Sequence, residues 1–311
     1  MILCCGDALI DMIPSVTTTG VQSFVPHPGG AVFNTAISLG RLGASVEMLT
    51  GLSKDLFGAQ LTRSLVESGV GTAFTIVSQR PTTLAFVELN DGQARYTFYD
   101  ENSAGRLIAV SDLPNLTGGI STLYFGGISL CNAPAADTYL ALAQREAAEG
   151  VIMLDPNIRP GLIRDAAAYR ARLTAFCGLA DIIKVSDEDL DWLAPGPAPL
   201  LQKLHTLQAG RPKVMILTRG KDGATALLPD GSKVSVAAQQ AEVVDTVGAG
   251  DTFNAGVLAE LQERSLLDKS ALATITAAPI RAALAFGSKV ATVTVSRAGA
   301  NPPWRAEMAD G

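Results

Sequence analysis

The chain has 311 residues, of which 48% are hydrophobic and 17% charged, which is enough apolar material for one large α/β domain or two smaller ones and excludes a disordered polymer. A formal net charge of −6 without any clustered run of Lys and Arg excludes a nucleic-acid partner, because phosphate backbones are bound by grouped cations. No apolar stretch reaches membrane-spanning length, since even the Ala-rich segment near 270–287 carries Pro279 and Arg281, so no membrane role is expected.

Residues 1–5 form an apolar run that reads as a buried strand, and Asp7 follows it too soon for a secretory leader, which would also need a basic start. Cys4, Cys5, Cys131 and Cys177 have neither Cys-x-x-Cys nor metal spacing, which predicts buried, reduced thiols and a cytoplasmic protein. Residues 12–28 read as irregular. Further apolar runs at 46–49, 151–154, 181–185 and 214–217 alternate with helical patterns, the rhythm of parallel strands covered by helices. One such helix is predicted over 55–68, with Asp55 as its cap and Gly69 as its stop. Residues 82–99 break the rhythm, because two alternating segments flank Asn90-Asp91-Gly92-Gln93, where Asp-Gly suits a hairpin turn. This hairpin and residues 12–28 are expected to form a small sheet over a cleft, with an immobile edge hairpin as the alternative. The segment 194–199, Ala-Pro-Gly-Pro-Ala-Pro, reads as a rigid loop between helices, and a last helix is predicted over 251–264 with Phe253, Val257, Leu258 and Leu261 on one side. With no repeat, low-complexity tract or linker, the chain reads as one catalytic domain, 1–311, with lid segments at about 12–28 and 81–100 inserted in it.

The chemistry concentrates in Asp245-Thr-Val-Gly-Ala-Gly-Asp251-Thr-Phe-Asn-Ala-Gly256. Gly248, Ala249 and Gly250 leave their backbone N–H groups free to face an anion, and the start of a helix adds positive partial charge. A carboxylate beside a phosphate site fits a base that takes the proton from an attacking hydroxyl, so Asp251 is the candidate catalytic residue. The structural alternative is a glycine-rich turn with Asp as helix cap. A second run, Pro28-Gly29-Gly30-Ala-Val-Phe-Asn34-Thr-Ala-Ile-Ser-Leu-Gly-Arg-Leu-Gly43, is a Gly-Gly turn feeding a helix. The two runs, in this order, resemble the C-terminal and N-terminal signatures of the ribokinase or PfkB family of carbohydrate kinases.

The resemblance extends from Gly6 to Trp304 and implies a ribokinase-like three-layer α/β core, with a mostly parallel central sheet and a small β-sheet lid. It also implies an ATP-dependent kinase phosphorylating a hydroxymethyl group, most like the bacterial fructokinases, which convert D-fructose to fructose 6-phosphate. In that reading Asp251 is the general base and the Gly248–Gly250 turn the anion hole. Asp11, placed beyond the first strand, joins Gly29, Gly30 and Asn34 in a sugar cradle. Asp155-Pro-Asn157-Ile-Arg159 and the segment starting at Phe98 resemble parts of fructokinases and 2-keto-3-deoxygluconate kinases. Asn157, Arg159 and Phe98 therefore join the substrate side, with a surface salt bridge as the alternative for Arg159. Lys184, Ser186, Thr218, Gly220, Gly223 and Ser288 fall on the nucleotide side. Ser186 and Asp189 depart from the family's Asn-x-x-Glu motif, and the shorter Asp189 would act on Mg2+ through water; an acidic helix start is the alternative. Asp245 and the Val247 carbonyl match positions that hold a monovalent cation in relatives, K+ being the candidate, with the rest of the ring from 291–300. His27 and His205 pair with no evident nucleophile, and His27 reads as surface loop. Two copies pairing through the lid are a further implication. The same motifs admit 2-keto-3-deoxygluconate, ribose or a nucleoside as acceptor, and a catalytically idle sugar or nucleotide sensor. A dinucleotide-dependent dehydrogenase is excluded, because no Gly-x-Gly-x-x-Gly follows the first strand.

Overall fold

Short runs whose every side chain is apolar cannot sit half-exposed, so they become the parallel strands of a sheet covered on both faces. The computed structural model describes residues 1–90, 93–116, 119–207 and 214–308. In chain order, β1 (Ile2–Cys5) leads into β2 (Leu9–Val16) and β3 (Gln22–Gly29), then α1 (Ala31–Arg41), β4 (Val46–Leu49), β5 (Gly51–Ser53), α2 (Leu56–Glu67) and β6 (Ile76–Ser78). The hairpin β7 (Leu84–Asn90) and β8 (Gln93–Tyr99) precedes β9 (Thr122–Gly126), α3 (Ala135–Glu146), β10 (Val151–Asp155), α4 (Ala166–Leu179), β11 (Ile182–Ser186), α5 (Asp187–Leu193) and α6 (Leu200–Thr206). The chain continues through β12 (Val214–Thr218), β13 (Ala224–Leu227), β14 (Lys233–Val236), α7 (Ala249–Glu263), α8 (Lys269–Ala273) and α9 (Ala277–Val295).

The main sheet has eight strands in the order β14-β13-β12-β11-β10-β9-β1-β4, parallel except where β13 pairs antiparallel with β12 and β14. Alternate side chains of each strand feed opposite layers. Ile2, Cys4, Met153, Ile182 and Ile216 pack under α1, α2, α7, α8 and α9, whereas Leu3, Cys5, Leu154, Ile183 and Leu217 pack under α3, α4, α5 and α6. This is the three-layer core the sequence implies. The four cysteines are buried, and no disulfide joins them among the described residues, as expected. Among the described residues no helix is long and apolar enough to cross a membrane.

The second sheet runs β3-β2-β7-β8. Residues 12–28, read as irregular, are instead two strands of an antiparallel hairpin, in which Asp11 faces His27. Pro14, Pro26 and Pro28 blur the alternation in the sequence; Pro26 and Pro28 are tolerated because β3 is an edge strand, and Pro14 because it lies beyond Ile10–Met12, the part of β2 that pairs with β7. The hairpin of β7 and β8 forms as expected; its turn, Asp91-Gly92, lies outside the described residues. Pleating sorts the side chains, so Asp11, Ala85 and Phe98 share the face toward the main sheet, while Phe24, Phe86 and Tyr99 make an edge-to-face cluster on the other. Phe24 and Tyr99 are exposed there, on the face where pairing with a second copy is expected.

Candidate active site

The carboxyl ends of β1, β9, β10, β11 and β12 open into a cleft of about 1230 Å³, roofed by the smaller sheet and closed at one side by the first turn of α7. Every residue expected at the site lines this cleft except Gly29 and Asp245. Gly29 lies beneath Asp11, where a Cβ would come within 2.0 Å of the Asp11 carboxylate, so a side chain here would displace that carboxylate. Asp245 braces the turn from behind, its two oxygens accepting the N–H groups of Val247 (3.0 Å) and Gly299 (2.9 Å).

The helix α7 begins at Ala249, two residues before the predicted start, capped by Gly248 in the left-handed region at φ 78°. Gly248 has no room for a side chain, because a Cβ would lie 2.7 Å from Ala300. Asp251 is therefore the third helical residue, at the positive end of the dipole. Its carboxylate accepts from Asn34 Nδ2 at 3.0 Å and Asn157 Nδ2 at 3.2 Å, and its backbone carbonyl accepts from Thr35 Oγ1 at 3.1 Å. Burial pushes the Asp251 carboxyl up to about 7; the Asn34 hydrogen bond and the positive charges of Lys184 and Arg159 pull against that rise, and the negative charge of Asp155 adds to it. A carboxylate held near neutrality, with both oxygens on amide donors, can accept a proton.

Asn157 reaches Asp251 because Pro156 ends β10 and the chain turns through a left-handed residue at Asn157, φ 42°. The Asn157 N–H donates to Asp155 Oδ1 at 3.1 Å, an Asx turn that holds this conformation. Asp155 Oδ2 takes Lys184 Nζ at 2.9 Å and Asn254 Nδ2 at 2.7 Å, and Asn254 Nδ2 also lies 3.0 Å from the Tyr124 hydroxyl. Lys184 is buried under the anion turn, where a Cβ on Gly250 would lie 3.2 Å from its ammonium. Burial alone would lower its pKa, but the carboxylates of Asp155 and Asp189 outweigh it and hold the lysine charged, above its ordinary value.

Asp11 follows β1, as expected, and lies within β2, which starts at Leu9 and carries it into the smaller sheet. Burial and the nearby Asp7 charge push its carboxyl up to about 7. Arg159 is exposed, and among the described residues its hydrogen bond goes to its neighbour's carbonyl at Ile158, 3.1 Å away, with no carboxylate partner; the surface ion pair considered for it does not form. At the end of β11, Ser186 caps α5 and accepts from Asp189 N, while Asp189 accepts Ser186 N at 3.2 Å and Ile158 N at 2.8 Å. The altered pair thus forms a complete capping box. Among the described residues no cluster of three His, Cys, Asp or Glu forms a metal cage.

Sequence reasoning passed over Asp7. Its Oδ2 accepts Ala31 N at 2.8 Å and so caps α1, whose own N-cap, Gly30, has no side chain. Its Oδ1 is buried without a partner, and burial outweighs the backbone donors to push the carboxyl up to about 6. The one available signal was an acid directly after an apolar strand.

The pfkB family carbohydrate kinase description matches residues 1–307. The chain belongs to this family. It is a carbohydrate kinase, a phosphotransferase whose acceptor is a sugar hydroxyl. A fructokinase of Rhizobium leguminosarum bv. trifolii is 47% identical over 90% of this chain and 86% of its own length. Among solved structures, the fructokinase of Xylella fastidiosa with bound ATP superposes with a TM-score of 0.89 at 28% identity, covering 99% of this chain and 96% of the other. The fructokinase of Vibrio cholerae O395, bound to fructose, ADP and calcium, gives a TM-score of 0.84 at 25% identity, over 99% and 97% of the two chains. The pfkB kinase fold thus covers both walls of the cleft.

Proposed function

We propose that the chain is a fructokinase, transferring the γ-phosphoryl group of ATP to the hydroxymethyl oxygen of D-fructose at carbon 6, with Asp251 as the general base. One observation carries the reading: a buried carboxylate, pushed up to about 7 and held by two amides, stands on the first turn of a helix directly after Gly248, Ala249 and Gly250. In phosphoryl transfer the protein positions reactants and balances charge. Asp251 orients the acceptor hydroxyl and receives its proton, the turn amides meet the negative charge on the transferring group, and Lys184 beneath them adds a fixed cation. Asp11, Gly30 and Asn34 hold the sugar, and Phe98 offers it an apolar face. The smaller sheet acts as a lid that excludes water, which would otherwise take the phosphoryl group.

Thr218, Gly220, Gly223 and Ser288 form the nucleotide wall, and the cleft is larger than the few hundred to about 1,000 Å³ of a drug-sized site, as two substrates require. Mg2+ needs no protein cage, since it keeps several waters and is held largely by substrate phosphates; Asp189 and Glu188 supply the nearby acids. Bound Mg2+ neutralises phosphate charge. The relatives named above, a fructokinase with ATP and one with fructose and ADP, support both substrates.

The test is ADP release from ATP and Mg2+ with D-fructose against 2-keto-3-deoxygluconate, ribose and adenosine, with Asp251→Asn as the control. Turnover selective for fructose and lost at least about 10³-fold in the variant is expected. Arg159, with no carboxylate partner, favours the sugar acid as second acceptor; turnover with that acid alone would replace the substrate. Sugar binding without any turnover would leave a sensor. The same assay, with potassium exchanged for a bulky organic cation, reads whether Asp245 and the Val247 carbonyl hold an activating ion.

A further inference from the structure

The anion turn and the base lie on α7, yet the groups that hold them converge on one residue of another element. We infer that Asp155 is a positioning residue of the phosphoryl transfer, one buried carboxylate that sets the base through Asn157 and the cation of the anion hole through Lys184. The inference rests on Asp251 being the base and Gly248–Gly250 the anion hole.

Asp155 has no exposed surface and does not line the cleft, so it touches neither substrate. It follows Val151, Ile152, Met153 and Leu154, each fully buried and apolar. An apolar residue would continue that run at no electrostatic cost, whereas an unpaired buried carboxylate is strongly destabilising. The acid is retained with all its strong donors in place: Asn157 N on Oδ1, and Lys184 Nζ and Asn254 Nδ2 on Oδ2. Each donor leads to the reaction centre. Asn157 holds Asp251 Oδ1 only while its backbone stays left-handed, a conformation unusual for a non-glycine residue and fixed here by the Asp155 acceptor. Lys184 is kept charged beneath Gly250 by its pairing with Asp155. Asn254, three residues after Asp251 on α7, fixes the rotation of that helix. Removing Asp155 releases all three together, while Asp11, Gly30 and Phe98 on the sugar side and Thr218, Gly220 and Ser288 on the nucleotide side take no bond from it.

Steady-state ADP release with D-fructose and MgATP tests this on wild type, Asp155→Asn, Lys184→Met and Asp251→Asn, with thermal unfolding as the folding control. Asp155→Asn keeps shape and loses charge. Its kcat is expected to fall about 10²-fold, the cost of a misplaced reacting group, with fructose KM within about threefold of wild type. The pH profile separates positioning from bulk stability. Asp251 is faced by Asp155 from β10, Lys184 from β11 and Arg159 beyond β10, with the amides of Asn34 and Asn157 and the Tyr124 hydroxyl around it. Removing the negative Asp155 should move the acid limb of kcat/KM to lower pH, and removing the positive Lys184 should move it higher. A folded Asp155→Asn enzyme with unchanged kcat and limb, or one that raises KM alone, overturns the inference. If Asp155→Asn does not fold, an unmoved limb in Lys184→Met overturns it equally. Residual turnover in Asp251→Asn would instead remove the base assignment, and the two failures are distinct.

Discussion

As the proposed base, Asp251 reconciles opposing demands. A base must be ionised to accept a proton, and the helix start favours the anion, but burial holds the carboxyl at about 7. In the proposed sugar cradle Asp11, also at about 7, must be ionised to accept two sugar hydroxyls. Both groups lose function as pH falls, so kcat/KM for the sugar should drop about tenfold per pH unit for one required carboxylate below pH 7, and more steeply where both protonate. Asp11→Asn should return the slope to that of a single group; a profile flat from pH 5.5 to 8 would exclude Asp251 as the base. Asp251 and its glycines were legible in the sequence because the base and the anion turn are neighbours along the chain. Their support was not. Asn34 and Asp251 are 217 residues apart and Asp155 and Asn254 are 99 apart, so only the folded strand ends bring them together.

At the scale of elements, the parallel strands were legible because burial on both faces forces continuous apolar runs. β2 and β3 were not, since prolines and half-exposure remove the period, nor were β13 and β14, where β14 alternates exposed and buried positions on the sheet edge. A close helix–helix contact was also hidden. α7 and α9 meet at Gly256 and Gly287, where a Cβ on Gly256 would come within 2.6 Å of the Gly287 Cα. No side chain fits, so Gly256→Val must push the helices apart, at a cost of about 1–3 kcal/mol in unfolding free energy measured by urea titration. Because α7 carries Asp251 and α9 carries Ser288 beside Gly287, the same variant should lose turnover in excess of its loss of folded protein. Unchanged stability would mean that the helices do not approach this closely in solution.

At the scale of the whole molecule, the acids of the cleft set the pH dependence of folding. Asp7, Asp11 and Asp251 rise from an ordinary 3.8 to about 6, 7 and 7, so between pH 4 and 7 the folded chain binds protons that the unfolded chain has already released. Stability must then fall as pH rises through that range, by up to about 1.4 kcal/mol per pH unit for each proton involved. The carboxylates held below their ordinary values, Asp55, Glu101, Asp230, Asp268 and Glu307, act in the opposite sense but finish titrating below pH 5. The N-terminal amine, lowered from its ordinary 8.0 by burial, also acts in the opposite sense, below pH 8. Between pH 5 and 7 the cleft acids therefore decide the sign, and the urea midpoint of the ligand-free protein should fall across this window. Asp251→Asn and Asp11→Asn remove the cost of an ionised buried carboxyl, so each should flatten the pH slope and be more stable than wild type at pH 7 while losing activity. A wild-type midpoint that rises from pH 5 to 7, or an Asp251→Asn protein less stable than wild type at pH 7, would mean that these carboxyls are not held near neutrality in the folded chain.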